Sequence, residues 1–201
     1  AHSHDHLRRG GPRVVAFLAA EEDVLELVHP RVGEEQGGID VRDERGARHL
    51  ADPTRLLASA TGLYGADDMA RLWGEFLAVP SGNLKAVNGS ETLVAGGREL
   101  DVAYTPGHAS NHVTYFDRAS RVAFVGDTAG IRRGTGNYVL PPTPPPDVDL
   151  DASRESERGI LAWEPDMLFM THFGPFHGPR LQFQQLWQNI EGWNRIVKRL
   201  P

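Results

Sequence analysis

Cysteine is absent from this chain, which excludes disulfides, thiolate nucleophiles, cysteine-ligated zinc and iron–sulfur clusters. Any bound metal must therefore be held by histidine, aspartate or glutamate. The sequence also lacks an apolar run of about 18 residues, so it predicts no membrane span. It shows no secretory signal pattern, and the cytoplasm is the expected location.

The composition is that of an ordinary soluble protein, with 40% hydrophobic and 24% charged residues among 201. This length predicts one domain over residues 1–201, with enough chain to bury a core. The formal net charge of −6 argues against a nucleic-acid backbone as the partner. A small-molecule substrate is therefore the expectation.

Alternation and turn residues predict strands and helices over most of the chain. Strands are predicted at residues 84–87, 91–94, 99–104, 112–116, 122–125 and 166–171. Helices are predicted from Asp52-Pro53 onward and at residues 67–76, 152–163 and 181–200. The polar residues 31–46 and the proline-rich residues 141–147 are predicted to be surface loops.

Ligand-type side chains directly follow three of these predicted strands. Thr105-Pro106-Gly107 forms a tight turn that presents His108, and Asp127 and His172 follow the next two buried strands. One such residue after a strand is commonly a cap or a turn residue. Three of them together predict a metal site. His112 is interpreted as a structural residue or as a partner of one of the ligands.

A fourth group of ligand-type residues opens the chain, where His2, His4, Asp5 and His6 fall within five positions. In an extended segment the three histidines project to one side, and a turn after His4 brings Asp5 and His6 onto the same ion. A purification tag or a disordered end is the competing interpretation of this segment taken alone.

Taken in order, the His/Asp cluster, Thr-Pro-Gly-His108, Gly-Asp127 and Thr-His172-Phe-Gly-Pro resemble the metallo-β-lactamase-fold hydrolase superfamily. Four segments, at residues 45–50, 52–53, 107–112 and 141–145, further resemble a prokaryotic branch near the glyoxalase II-like hydrolases. The resemblance implies an α/β (α+β) protein with an αββα sandwich, in which two sheets are faced by helices.

The resemblance also implies a metal site that holds one or two ions. Zinc is the expected metal, with iron and manganese as the other candidates. The implied ligands are the following residues: His2, His4, Asp5, His6, His108, Asp127 and His172. Asp127 would bridge two ions, and Asp5 would be catalytic, orienting the nucleophile as well as ligating the second ion. A metal-bound hydroxide would then attack an ester, thioester or lactone-like bond.

The first motif departs from the family pattern and can be aligned in two ways. With one residue deleted, His2, His4, Asp5 and His6 are all ligands. In the other alignment Arg8 and Arg9 replace ligands of the second ion, which leaves one metal, because arginine does not deprotonate to bind a cation.

The family's strands that precede the first motif are also missing, so the sandwich is expected to be truncated or rearranged at its start. Residues 11–44 or a second chain would replace those strands. An exposed sheet edge would favour a homodimer. Two alternative functions follow: a metal-poor remnant that acts as a binding or structural domain, and a phosphodiesterase that uses the same site.

Overall fold

The computed structural model describes residues 40–73, 77–95, 97–133, 136, 138–143, 148–172 and 174–199. Its strands are β1 (Asp40–Asp43), β2 (Leu84–Val87), β3 (Thr92–Ala95), β4 (Arg98–Tyr104), β5 (Val113–Asp117), β6 (Val122–Gly126), β7 (Ile131–Arg132), β8 (Val139–Leu140), β9 (Met167–Met170) and β10 (Gly174–Phe176). Its α-helices are α1 (Glu44–Ala51), α2 (Thr54–Tyr64), α3 (Ala66–Asp68), α4 (Leu150–Ala162) and α5 (Pro179–Val197). A π-helical turn (Met69–Trp73) continues α3, and a 3-10 turn (Ser81–Asn83) precedes β2.

The main element is a six-stranded sheet with the strand order β10-β9-β6-β5-β4-β3. Strands β3 to β6 form an antiparallel meander, and β9 then pairs parallel to β6. Two smaller sheets accompany it: β1 pairs parallel to β2, and β7 pairs antiparallel to β8. The mixed α/β class predicted from the sequence is confirmed.

The predicted strands of the meander, the predicted strand at 166–171 and the last two predicted helices are all present, with bounds shifted by a few residues. The prediction is wrong for residues 40–46, where strand β1 and the start of helix α1 replace the expected loop. The strand Asp40–Asp43 is too polar for an apolar alternation to reveal it. These residues form a strand because all four pair in parallel with β2. The local sequence does not encode such a long-range pairing.

The helices α4 and α5 cover one face of the large sheet. Ala123 and Val125 point to that face from β6, in agreement with the two-residue period of a strand, and both are fully buried. They belong to the main apolar cluster, which also contains Ile160 from α4 and Phe183 and Leu186 from α5. On the opposite face Phe124 packs against Phe169. A smaller apolar cluster is formed by one residue each from β2, β3 and β4: Val87, Leu93 and Val102.

The helix starts have clear chemical causes. Asp149 caps α4, since its carboxylate accepts hydrogen bonds of 3.0 Å from the amides of Asp151 and Ala152. Helix α5 begins with Pro179, which fits a first helical position because no partner is needed for its missing N–H. Among the helices that the structure describes, none combines the length and apolarity that crossing a membrane requires.

Candidate metal centre

Three candidate ligands meet at one edge of the large sheet. Strands β4, β6 and β9 run in the same direction, because β5 is antiparallel to both β4 and β6, and β9 is parallel to β6. Their carboxyl ends therefore lie side by side. His108 follows β4, Asp127 follows β6 directly and His172 follows β9. The predicted convergence of these three residues is thus present in the fold.

The carboxylate of Asp127 lies between the two imidazoles. Its Oδ2 is 3.5 Å from Nε2 of His108, and its Oδ1 is 3.6 Å from Nε2 of His172. Each carboxylate oxygen thus faces a different histidine. The side chains of His108 and Asp127 are mostly buried, whereas that of His172 is half exposed. The exposed side is the direction from which a substrate can approach.

The donor atoms fit a metal better than they fit a hydrogen-bonded cluster. Oδ1 of Asp127 is buried and accepts no hydrogen bond from the residues that the structure describes. A buried acceptor without a donor costs about 1–3 kcal/mol, so its presence calls for an explanation. Both nitrogen–oxygen distances exceed a hydrogen bond, but two ligands of one tetrahedral zinc lie about 3.3 Å apart, given bonds of about 2.0–2.1 Å.

These three residues do not form a complete site. Within residues 40–199 as described, no group of three or more His, Asp or Glu side chains converges on a single metal position. The carboxylate of Asp127 instead faces a different histidine with each of its oxygens. The other predicted ligands, His2, His4, Asp5 and His6, lie outside the described residues, as do Arg8 and Arg9. Asp5 as the catalytic residue stays a prediction.

The turn at residues 105–108, the His108 corner, is held in place by the start of α4. The carbonyl of Gly107 accepts a hydrogen bond from the Asp149 amide (2.9 Å), and the carbonyl of Pro106 accepts one from the Ser156 hydroxyl (2.7 Å). The His108 ring is held from the other side, with Nδ1 3.2 Å from the carbonyl oxygen of Pro142. This contact turns Nε2 toward Asp127, as a histidine ligand with an oriented second nitrogen requires.

The turn at residues 126–130, the Asp127 corner, is shaped by Gly126. Its φ of +53° lies in the left-handed region, and the pairing of β6 with β9 shifts register just before it. A β-carbon on residue 126 would also overlap the ring of His112. The next turn is closed by a hydrogen bond of 2.9 Å from the Gly130 amide to the Asp127 carbonyl. Only glycine satisfies both the backbone angle and the lack of space.

A partly buried histidine lies between these two corners. Nδ1 of His112 is 2.8 Å from the hydroxyl of Thr105 and 3.0 Å from the hydroxyl of Thr128. The ring of His112 is edge-on to that of His108, with 6.3 Å between centroids. The sequence left open whether His112 is structural or a partner of a ligand. The sequence pattern alone does not single out Thr105 and Thr128, although their positions beside the two predicted ligands are a usable signal.

The sequence does not predict the buried charge of Arg132, five residues after Asp127. The guanidinium of Arg132 donates to Gln182 (2.8 Å), to the carbonyl of Gly136 (2.7 Å) and to Gln185, and it lies over the ring of Phe176 at 4.0 Å. Burial lowers the pKa of Arg132 from its ordinary value. This network fastens the β7–β8 hairpin, which follows Asp127, to α5.

The model of the metallo-beta-lactamase superfamily matches residues 21–172, a span that includes His108, Asp127 and His172 and excludes residues 2–6. The chain therefore belongs to the metallo-beta-lactamase superfamily. Members of this superfamily are generally metal-dependent hydrolases, and they often bind zinc.

Two relatives show how much of the fold is shared. The chain is 31% identical over 104 residues to the metallo-beta-lactamase fold-containing protein ST1585 of Sulfurisphaera tokodaii, and the match covers 52% of this chain and 38% of that protein. The crystal structure of ST1585 from Sulfolobus tokodaii is similar with a TM-score of 0.62 and 25% identity, over 75% of this chain and 57% of that one. The metallo-beta-lactamase family protein TTHA1429 from Thermus thermophilus has a TM-score of 0.54 at 21% identity, over 78% and 54% of the two chains. This chain thus spans less than two thirds of the length of each relative.

Proposed function

We propose that this chain carries a metal-dependent hydrolase site for an ester, thioester or lactone-like bond. The observation that supports it most is the position of Asp127, with a different histidine facing each carboxylate oxygen and a buried oxygen without a hydrogen-bond donor. The substrate class rests on the resemblance to the glyoxalase II-like hydrolases. A small molecule is the proposed partner, while a homodimer and a cytoplasmic location stay predictions.

Zinc is the proposed metal, with iron or manganese as the alternatives, because imidazole and carboxylate suit all three. His108 would hold one ion, His172 the other, and Asp127 both. When bound, the ions would lower the pKa of water toward about 7 and stabilise the charge that develops on the substrate oxygen. We propose that His2, His4, Asp5 and His6 complete the ligand set, with Asp5 orienting the nucleophile.

The residues of the chain contribute orientation and shielding. Pro142 holds the His108 ring through its carbonyl, and the glycines on either side of the site bring the backbone close enough for the two corners to meet. The half-exposed His172 leaves one side open to substrate, whereas Asp127 lies deeper. This arrangement lets a reacting carbonyl approach from the solvent side while the carboxylate stays fixed.

The test is metal content per chain, measured by mass spectrometry on untagged protein after zinc loading and dialysis. About two ions are expected for the wild type and about one for each of His108→Ala and His172→Ala. His177→Ala is the matched control, because His177 is an exposed histidine five residues from His172, and it should keep both ions. A wild type that binds no zinc, iron or manganese contradicts the proposal.

Substrate class is tested separately with the zinc-loaded wild type on a panel of thioesters, lactones, carboxylic esters and phosphodiesters. Turnover of the first three groups, lost in Asp127→Asn, is the expected result. Turnover of phosphodiesters alone would replace the proposed substrate with the alternative that uses the same site. Fewer than two bound ions, together with no turnover of any of these, would favour the alternative of a metal-poor binding or structural domain.

A further inference from the structure

His112 joins the two corners that carry His108 and Asp127. Its Nδ1 lies within hydrogen-bond distance of Thr105, three residues before His108, and of Thr128, directly after Asp127. Thr105 and Thr128 are both buried, where a hydrogen bond is electrostatically stronger than in water. A single ring nitrogen thus ties together two turns that are far apart in sequence.

The same ring also limits how closely the two corners approach. Its Cε1 would be 3.0 Å from a β-carbon on residue 126, so the ring packs directly against the backbone of Gly126. Its plane is nearly perpendicular to that of the His108 ring, at 82°, with 6.3 Å between the centroids. The backbone agrees with this arrangement, because the Thr105 amide donates to the His112 carbonyl at 2.9 Å. The ring is therefore both a hydrogen-bonded link and a spacer.

We propose that His112 is a positioning residue that sets the separation between His108 and Asp127, and through it the affinity for metal. The inference rests on the proposed function, since it concerns the same site. It requires that His112 acts without binding the ion itself. Partners that orient metal ligands in this way typically change metal affinity by about 10–100-fold when they are removed.

The position of the hydrogen-bonding nitrogen makes the proposal specific. An asparagine amide group reaches the position of Nδ1, whereas a glutamine amide group reaches the position of Nε2. If the Nδ1 link is what positions the site, His112→Asn retains it and His112→Gln does not. His112→Leu removes every polar contact while it still fills most of the space.

The experiment measures three quantities on the full chain: the zinc dissociation constant by competition with a chromogenic chelator, the visible absorption of the cobalt(II)-loaded protein, and the free energy of unfolding in chelator. We expect zinc affinity to fall about 10–100-fold in His112→Leu and His112→Gln, with an altered cobalt spectrum. His112→Asn should stay within about threefold of the wild type. Should His112→Leu fail to fold, the Asn and Gln variants carry the comparison.

A matched control separates positioning from general loss of stability. Asp117→Asn disrupts another buried hydrogen-bond network at the opposite end of β5, away from the site. It should lower the free energy of unfolding and leave zinc affinity and the cobalt spectrum unchanged. The proposal is overturned if His112→Gln binds zinc as the wild type does, or if Asn and Gln lose affinity equally. A wild type that binds no metal would instead overturn the proposed function, and this inference with it.

Discussion

Gly107 packs directly against Ser153, so closely that a β-carbon on residue 107 would lie 2.6 Å from the Ser153 amide nitrogen. The φ of Gly107 is +132°, which L-residues with side chains rarely adopt. The turn before His108 therefore has its shape only because residue 107 has no side chain. The start of α4 and the His108 corner fit together as one unit.

The first prediction follows from this contact. Gly107→Ala should lower the free energy of unfolding by about 2 kcal/mol or more, because both the backbone angle and the overlap are unfavourable. The matched control is Gly159→Ala inside α4, where a β-carbon meets nothing within 4 Å. That variant should gain about 0.5–1 kcal/mol, since alanine is the better helix former. Chemical denaturation measures both, and equal effects would contradict the assigned packing.

The second prediction separates the effect of Asp127 on the stability of the fold from its proposed role as a metal ligand. In chelator, Asp127→Asn should unfold at the wild-type temperature or above it, because it removes a buried charged acceptor that has no donor among the described residues. With zinc at about 100 times its dissociation constant, the wild type should gain about 2.7 kcal/mol and the variant nothing. Thermal unfolding with and without zinc measures the difference. A variant that zinc stabilises as much as the wild type would remove Asp127 from the ligand set.

Asp117 is the basis of a prediction on pH. Burial alone raises the pKa of Asp117, yet that pKa is held below its ordinary value of 3.8. The hydrogen bonds from the Ser120 hydroxyl, the Ala119 amide and Arg98 outweigh burial, because they favour the charged form. A lowered pKa in the folded state means that the ionised carboxylate stabilises the fold above pH 3.8. That contribution disappears as pH falls through the folded-state value.

Asp117→Asn should therefore lose about 1–3 kcal/mol of unfolding free energy at pH 7, and the difference from wild type should shrink below about pH 4. Urea denaturation from pH 7 down to pH 3 measures this trend. Asp166→Asn is the control, because Asp166 is largely exposed and its ion pair with Arg121 contributes little. A difference that does not depend on pH would show that the charge of Asp117 is not what stabilises the fold.

The buried guanidinium of Arg132 gives a fourth prediction. Arg132→Lys keeps the charge but cannot donate hydrogen bonds to Gln182, Gln185 and the Gly136 carbonyl together. We therefore expect the free energy of unfolding to fall by about 1–3 kcal/mol. Arg158→Lys is the matched control, since Arg158 is exposed and pairs with Glu155 along α4, and it should change stability by less than about 0.5 kcal/mol. Similar losses in both variants would contradict the role assigned to this network.

Part of this structure could be predicted from sequence because its signals are local. The meander shows alternating apolar residues and glycine turns, and His108, Asp127 and His172 each stand just after a strand. Strand β10 was not predicted, because it contains Pro175 and a proline in a strand is tolerated only at a sheet edge, which sequence alone does not locate.

The remaining contacts depend on segments far apart in the chain. Nothing in the local sequence marks Arg132 as buried. It is buried because it contacts residues of α5, such as Gln182, some 50 positions later. The link between His112 and Thr128 likewise requires β5 and β6 to be paired first. Such contacts leave no periodic pattern, so composition and spacing do not reveal them.

The parallel pairing of β9 with β6 has a consequence for the order in which the protein is built. Strands β3 to β6 are joined by short connections and can pair as soon as residues 92–126 have left the ribosome. Strand β9 joins them only after the long crossover from Gly126 to Met167 has closed, with α4 in between. His172 thus reaches Asp127 last. We expect the metal to bind only after β9 has paired with β6, and to stabilise that late pairing rather than to nucleate folding.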